Sequence, residues 1–541
     1  MAVPSAKLIN KLVFCLQQYG LTVEPRRRRC HHSRMNPTDK SKNIAKIVTA
    51  FNSGDLVLGN TLFDEAGGDQ FAFQNGFDAL GEVLSAMPSE HWRDHEAALC
   101  GLVVYLCKFG QAARAHAHLT DPNLTFDKTV RFTIVELLVT IHLGDPIRAD
   151  DIERWTFLER RLPISNPLIA GLYCNAMLVI LVRVGRLKEA RSFGVRAIAA
   201  FRAANHSHLE HFIHLHLADL SIVEGHLRQG RRHLISAKAC LASSGETHGN
   251  EAQLSEIVDL LLDYETGEFS HIPARAGALR DSLVSGDSWA EIFNQLGRIA
   301  VLSIYFTAGR DAALQELAAF QVGYAQRHGR HSDVLALLEI EIDRLDHSLG
   351  GAVEGLAQLE MANLKGPIGS VLLAGIVEAL ELNEIAVTNV PGPRAALNAT
   401  LRQAARKTGQ PRRRLVQQAF FLAIRESHAA PFIENRDALS GIGDRLTASS
   451  FARGHAQLAR MARKVMRLVE QSYWIPAPMK ELGITHRQLR VMTALQSGAT
   501  NKEIARLLGL SEATVKYHLA NLFRITNTRK RGQLIEYAMK I

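Results

Sequence analysis

The sequence predicts an all-α fold: a long solenoid of stacked helical pairs followed by a small C-terminal four-helix domain. Three observations predict it. Apolar side chains recur at i, i+3 and i+4 from about residue 40 onward, with little of the alternation that marks strands. Only 16 prolines interrupt 541 residues. Turn glycines also fall at a nearly constant interval, at Gly144, Gly185, Gly225, Gly267, Gly309, Gly350 and Gly392. Their spacings are 41, 40, 42, 42, 41 and 42 residues, with Gly110 a further 34 residues upstream.

Taken in order, residues 1–34 carry "EPRRRRCHHSR", a basic run with no apolar period. It reads as a disordered tail or as a start placed upstream of the true initiator Met35, ahead of a nucleic-acid-binding arm. Residues 35–90 continue as helices, with turn signals at Gly54 and "EAGGD" that do not fit the period.

Residues 91–446 form the repeat. "LYCNAMLVILVRVG-RLKEARSFGVRAIAAF" and "LEHFIHLHLADLSIVEG-HLRQGRRHLISAKACL" each show an apolar helix, a glycine and a second, amphipathic helix, and "EIFNQLGRIAVLSIYFTAG-RDAALQELAAFQVGYA" does so again. The glycine closes the first helix where a left-handed backbone lets the second fold back. One such pair cannot bury its apolar face alone, but stacked neighbours can, as a superhelix with a concave surface. The interval exceeds the ~34 residues of tetratricopeptide repeats, so a tetratricopeptide-like design with longer helices is expected. A connecting helix then occupies 447–473. Pro476 and Pro478 place a linker at 474–483.

Composition excludes several classes. Hydrophobic content of 47% and charged content of 22% are those of a globular chain, and no apolar run reaches the ~20 residues that span a bilayer. A cytoplasmic location with no membrane partner is expected. Six cysteines make no disulfide framework. Cys100 and Cys107 would sit two helical turns apart, about 10 Å along the axis and too far to bridge. The net charge of +9 concentrates at the ends: residues 484–541 carry +7 and residues 1–34 carry +6, leaving −4 between them. A compact basic C-terminus suits phosphates.

Signatures of catalysis are missing. There is no phosphate-loop G-x-x-x-x-G-K-[ST], HExxH, G-x-S-x-G or dinucleotide glycine fingerprint, and "HEAAL" at 95–99 lacks a second histidine. No enzyme, catalytic residue, cofactor or metal is expected. The strongest decoy is "HSHLEHFIHLH", with His206, His208, Glu210, His211, His214 and His216. Pairs at 208/211 and 211/214 could converge as metal ligands do. The stretch is the first helix of a repeat, however, interleaved with Phe212, Ile213, Leu215 and Leu217, and that favours an ordinary structural role ahead of a ligand or partner surface and of a metal site. Arg412–Arg414 reads as a solvated helix start.

The C-terminal region, "GITHRQLRVMTALQSGATNKEIARLLGLSEATVKYHLANLFRITNTRKRGQLIEYAMKI", is locally consistent throughout. Thr485 caps a first helix with Gln488 as reciprocal partner, and Gly498 closes it. Thr500 and Glu503 make a capping box for a second helix, with Ile504, Ala505 and Leu508 turned inward and Gly509 making the turn. Ser511 caps a third helix whose buried seam is Val515, Leu519 and Leu522. Opposite that seam lie Ala513, Lys516, Tyr517, Ala520 and Arg524, flanked by Thr514 and Asn521. Such a face suits a recognition helix in a DNA major groove. A fourth helix spans about 529–540.

Residues 484–541, with T-x-R, G-x-x-N-K-E-I-A, L-S-x-x-T-V-K-x-H and a later R-x-Q, resemble the LuxR-type (GerE) helix-turn-helix of bacterial transcription factors. The resemblance implies DNA contact by Thr514, Lys516 and His518, with Asn521 and Arg531. It departs from the family at Gln488, where Glu is usual, and at Ile525, Thr526, Asn527 and Thr528, where Lys-Leu-Gly-Val is usual. Asn527 can take the left-handed turn of that glycine. Thr526 falls on the buried seam where an apolar side chain is expected, and Ile525 removes a phosphate-contacting lysine. A folded reader of lower stability or weaker binding is therefore expected. The repeats, "PFIENRD", the connecting helix and this module together resemble the large LuxR-type regulators of the maltose-activator kind, without their ATPase domain. That resemblance implies a transcriptional regulator whose solenoid senses a small-molecule or protein ligand. Its implied partners are double-stranded promoter DNA, RNA polymerase and a second copy in a homodimer on DNA. The other reading is a non-catalytic repeat scaffold with a degenerate DNA-binding tail.

Overall fold

The computed structural model describes residues 37–540, apart from 145, 164–165, 245–248, 383, 440–454, 474, 476 and 497. The basic run of residues 1–34, Met35, the last residues of the expected repeat region and the start of the expected connecting helix lie outside the described residues, as do Trp474 and Pro476. Every regular element among the described residues is helical, and none of these helices is long and apolar enough to cross a membrane.

Four helices lead in: α1 (Pro37–Asn52), α2 (Leu56–Glu65), α3 (Phe71–Asn75) and α4 (Phe77–Ala86). Six helical pairs follow: α5 (Glu96–Lys108) with α6 (Ala112–Leu119), α7 (Val130–Leu143) with α8 (Ala149–Leu158), and α9 (Pro167–Arg183) with α10 (Leu187–Ala203). The other three are α11 (Ser207–Glu224) with α12 (Leu227–Ser244), α13 (Glu251–Thr266) with α14 (Ile272–Ser285), and α15 (Ala290–Ala308) with α16 (Arg310–His328). The local signals act as the sequence implies. Asn166 caps α9 by accepting from the Leu168 and Ile169 amides, with Pro167 at the first helical position, where its missing N–H costs nothing. Gly110, Gly144, Gly185, Gly225, Gly267 and Gly309, one behind each first helix, all have positive φ, between 72° and 96°. Each first helix packs on the first helix of the next pair, so apolar faces bury pair against pair.

The glycine interval outlasts the pairs, which end with α16. Helix α17 (Asp333–Leu345) is followed by a 3-10 turn at Leu349–Gly351 and the short α18 (Ala352–Ala357). Gly350 thus lies inside that turn without a positive φ. Gly392 has a φ of 129°, but it opens a helix rather than closing one. The chain goes on through α19 (Pro367–Ala379), α20 (Pro393–Ala405), α21 (Gly409–Ile424) and α22 (Ala430–Glu434). The expected connecting helix is α23 (Ala456–Gln471). The expected linker contains a helical turn, α24 (Ala477–Glu481), because a proline in the second helical position removes only a donor the helix end leaves unused.

The interior of the coil is not an open concave surface. Helix α7 touches α15, α6 touches α16, α11 touches both α19 and α20, and α13 touches α22. The turn glycines sit at these closures. A Cβ on Gly225 would lie 2.5 Å from Arg394 N, and one on Gly185 2.7 Å from Lys365 O. They are therefore required twice, by backbone conformation and by close approach. "APFIENR" runs buried through this interior from Ala430 to Arg436. An ionic cluster fixes it there: Arg394 Nε donates to Glu265 at 2.9 Å, Tyr264 Oη to Glu434 at 2.9 Å, and Arg436 Nη2 to the Tyr305 hydroxyl at 3.1 Å. Arg298 lies 3.4 Å from Glu265. Burial pushes the Glu265 carboxyl up, but Arg394, the His428 hydrogen bond and Arg298 outweigh it and hold it down at about 2.

Candidate nucleic-acid interface

The C-terminal helices are α25 (His486–Gln496), α26 (Asn501–Leu508), α27 (Glu512–Ile525) and α28 (Arg531–Lys540). They share an apolar core of their own, built on Val491, Leu495, Ile504, Val515, Leu522 and Leu534. Met479, from the turn in the expected linker, belongs to this core as well.

Each helix starts where its cap dictates. Gln488 Oε1 accepts from the Thr485 amide at 2.8 Å, and the Gln488 amide donates back to Thr485 Oγ1 at 3.3 Å. A glutamine in place of the usual glutamate therefore completes the reciprocal cap. Thr500 and Glu503 form the capping box of α26, and Gly509 ends that helix in the left-handed conformation. The two backbone and side-chain hydrogen bonds from Thr500 lower the Glu503 pKa. Ser511 Oγ accepts from the Thr514 amide at 3.0 Å to open α27. Gln533 Oε1 accepts from the Arg529 and Lys530 amides, both at 3.1 Å, and so α28 begins at Arg531.

With Val515, Leu519 and Leu522 buried, α27 turns Ala513, Lys516, Tyr517, Ala520 and Arg524 to the exterior. Tyr517 is 65% exposed. Thr514, His518 and Asn521 flank this face and are half-buried. Thr514 Oγ1 lies 2.8 Å from Ser511 Oγ. The His518 ring stands edge-on to Tyr517, and its Nδ1 is buried without a hydrogen bond. Burial, and then the charge of Arg487, lower the His518 pKa, so the ring stays neutral near pH 7.

That interaction identifies Arg487 as a cation beside the recognition face. It is the arginine of the T-x-R signature, on α25, and so does not show in the pattern of α27 itself. Arg531 sits differently from the other candidates. Its guanidinium donates to Asn501 Oδ1 at 3.0 Å and to the Ala499 carbonyl, tying the start of α28 to the start of α26.

The substituted turn after α27 is accommodated. Thr526 is buried on the seam, yet its hydroxyl is satisfied: it lies 2.8 Å from the Leu522 carbonyl and 2.9 Å from Thr528 Oγ1. Asn527 takes the left-handed conformation with a φ of 49°.

The reader also touches the helical array. The Tyr473 amide donates to the Phe306 carbonyl at 2.7 Å, and the Tyr473 ring lies 4.5 Å from that of His486. Lys480 Nζ pairs with Asp346 at 2.8 Å.

Comparison with known proteins agrees with this geometry. Residues 483–538 match the family model of bacterial regulatory proteins of the luxR family. A probable csgAB operon transcriptional regulatory protein of Salmonella typhimurium is 46% identical over 55 residues, 10% of this chain and 26% of that protein. The nitrate/nitrite response regulator protein NarP of Escherichia coli is 48% identical over 48 residues, 9% of this chain and 22% of that protein. The transcriptional regulatory protein LnrK of Bacillus subtilis is 36% identical over 66 residues, 12% of this chain and 30% of that protein. The matched segment spans about a quarter of the length of these relatives. No solved structure matches the chain. The capped helices, the buried seam and the match over residues 483–538 make this C-terminal segment a LuxR-type helix-turn-helix domain.

Proposed function

We propose that the protein is a sequence-specific DNA-binding transcriptional regulator in which the helical array senses a small-molecule or protein ligand and controls the C-terminal reader. The observation that carries this reading is the outer face of α27: Lys516, Tyr517 and Arg524 exposed together, opposite a fully packed seam. In a major groove, the first turns of α27 would meet base edges through Thr514 and Tyr517, with His518 and Asn521 alongside. Lys516, Arg524 and Arg487 would hold phosphates, which fixes register without reading sequence. Arg531 would act through the packing of α28. Promoter DNA, a second copy of the chain on that DNA and RNA polymerase are the partners of this reading.

Control by the array is supported by the contacts at Tyr473 and Lys480, through which a change in the coil would reach α25 directly. For the scaffold reading with a degenerate tail, the satisfied hydroxyl of Thr526 supports a folded turn at 525–528, while Ile525 still stands where a phosphate-contacting lysine is usual.

Genome-wide mapping of bound DNA, followed by titration of the full chain on recovered and random duplexes at two salt concentrations, tests the reading. A preference of about 10³-fold or more for the recovered sites is expected. A steep salt dependence with a ratio near one would point to the scaffold.

A further inference from the structure

We propose that Glu210, His214 and Cys240 form a binding site for a divalent transition-metal ion, with zinc the fitting ion, between the two helices of one pair. Glu210 and His214 lie one turn apart on one face of α11, and Cys240 reaches them from α12. One donor atom from each lies within 4.8 Å of the other two. His214 Nε2 is 3.4 Å from Glu210 Oε1. Two ligands bound to a tetrahedral zinc at roughly 2.0–2.2 Å must keep a separation of about 3.4 Å. Oxygen, nitrogen and sulfur donors together suit zinc rather than magnesium or calcium, which take oxygen alone.

The histidine itself points to a ligand. His214 is only 5% exposed, and its buried Nε2 faces Glu210 Oε1 at 3.4 Å with no hydrogen-bond partner. Its Nδ1 lies 3.1 Å from His233 Nδ1. That short nitrogen pair shares a single proton. With the proton on His214, no N–H is orphaned and Nε2 presents a bare lone pair towards Glu210. This is the outer-shell arrangement that sets a histidine for metal binding. Burial lowers the His214 pKa and so keeps the ring neutral. Arg202 Nε donates to Glu210 Oε1 at 2.8 Å and holds the carboxylate in place.

Cys240 is half-buried, so solvent reaches the site. Burial, and then the Glu210 carboxylate, raise its thiol pKa. A dication between them reverses that electrostatic effect: the Zn–S bond forms as the S–H bond breaks, and one proton leaves to solvent. Three protein ligands leave a fourth position for water or an added donor. The other four histidines of the stretch are placed elsewhere, with the His216 ring 4.3 Å from that of Trp289. His206 Nε2 lies 2.9 Å from the Phe73 carbonyl, His211 Nδ1 lies 2.9 Å from the Ala237 carbonyl, and His208 lies 3.6 Å from Glu251. The third ligand therefore comes from Cys240, on the next helix, rather than from a second histidine of the stretch.

The test titrates the full chain, reduced with a thiol-free reductant and stripped with chelator, with cobalt(II). One cobalt per chain is expected, with a near-ultraviolet thiolate-to-cobalt charge-transfer band that zinc abolishes by displacement. C240S should lose the band, and H214Q and E210Q should weaken binding by about tenfold or more. Cys30, with His31 and His32, offers donors at another place in the chain, so C30S must retain the band. No band in the parent protein, a band that survives C240S, or one abolished by C30S overturns the proposal.

Discussion

Arg394 holds both carboxylate oxygens of Glu434, at 2.7 and 2.9 Å, inside the coil of helical pairs. The two residues are 40 apart in sequence, and each is nearly shielded from solvent. Removing Glu434 leaves the buried guanidiniums of Arg394 and Arg298 sharing the one carboxylate of Glu265 where water cannot reach them. Glu434→Ala is expected to lower unfolding stability by about 3–5 kcal/mol, measured as the shift in a urea transition followed by circular dichroism. A shift under about 1 kcal/mol would mean that the array opens enough to hydrate Arg394.

Acid should loosen the same interior. Burial, and then Arg327, hold His142 down at about 4 and His328 at about 3. The His328 Nδ1 lies 2.5 Å from the His142 carbonyl, and His142 Nδ1 lies 2.8 Å from the Ser288 carbonyl. Both folded-state values lie below the ordinary 6.5, so their contribution is present above pH 6.5 and is lost as pH falls towards 4 and 3. Each histidine adds a slope approaching about 1.4 kcal/mol per pH unit in that window. Urea midpoints measured at about pH 7 and about pH 5 should diverge, and His142→Gln should flatten the dependence.

Two glycines separate conformation from contact. Gly54 has a φ of 79° with nothing within 4 Å of an added Cβ, so Gly54→Ala should cost only the left-handed penalty of about 1–2 kcal/mol. Gly225 has a φ of 93°, and its added Cβ would meet the backbone of Arg394. Gly225→Ala should cost more than Gly54→Ala and raise hydrogen exchange in α20. Equal costs for the two would show that the coil closure yields to a methyl group.

The turn after α27 offers a test of the substituted signature. Asn527 already occupies the left-handed region, so Asn527→Gly should change reader stability by less than about 1 kcal/mol. Asn527→Val should destabilise it by about 1–2 kcal/mol. Hydrogen exchange of the α27 amides in the full chain reads both.

Lys516 and Arg531 should fail in different ways. Lys516→Ala should weaken DNA binding and reduce the salt slope by about one, with stability unchanged. Arg531→Ala removes the bonds to Ala499 and Asn501 and should lower reader stability by about 1.5–3 kcal/mol, with faster exchange at the start of α26. If Arg531→Ala spared stability and lost only affinity, the residue would be a direct DNA contact.

The parts of the fold set by neighbours in sequence were legible. The glycine behind each first helix, the boxes at Thr485 and Thr500, and the seam of α27 all follow from signals spanning a few residues. Gly350 and Gly392 kept the interval without the role, because a turn glycine marks a bend and does not say which helices it joins. The resemblance implies a DNA contact for Arg531, and no local signal shows its acceptors at Ala499 and Asn501, some thirty residues away. Cys240 is equally silent until α12 folds back on α11.

By itself, then, the sequence determined the all-α class, the helical pairs and a LuxR-type reader, since caps and periodicity act over a single turn or two. Only the tertiary structure decided that the coil closes on itself, with residues 430–436 buried where an open solenoid would present a concave surface. The physical reason is range. Arg394, Glu265 and Glu434 stabilise one another only after loops of 40 to 129 residues have closed, and no local pattern encodes which distant charge will be there to meet them.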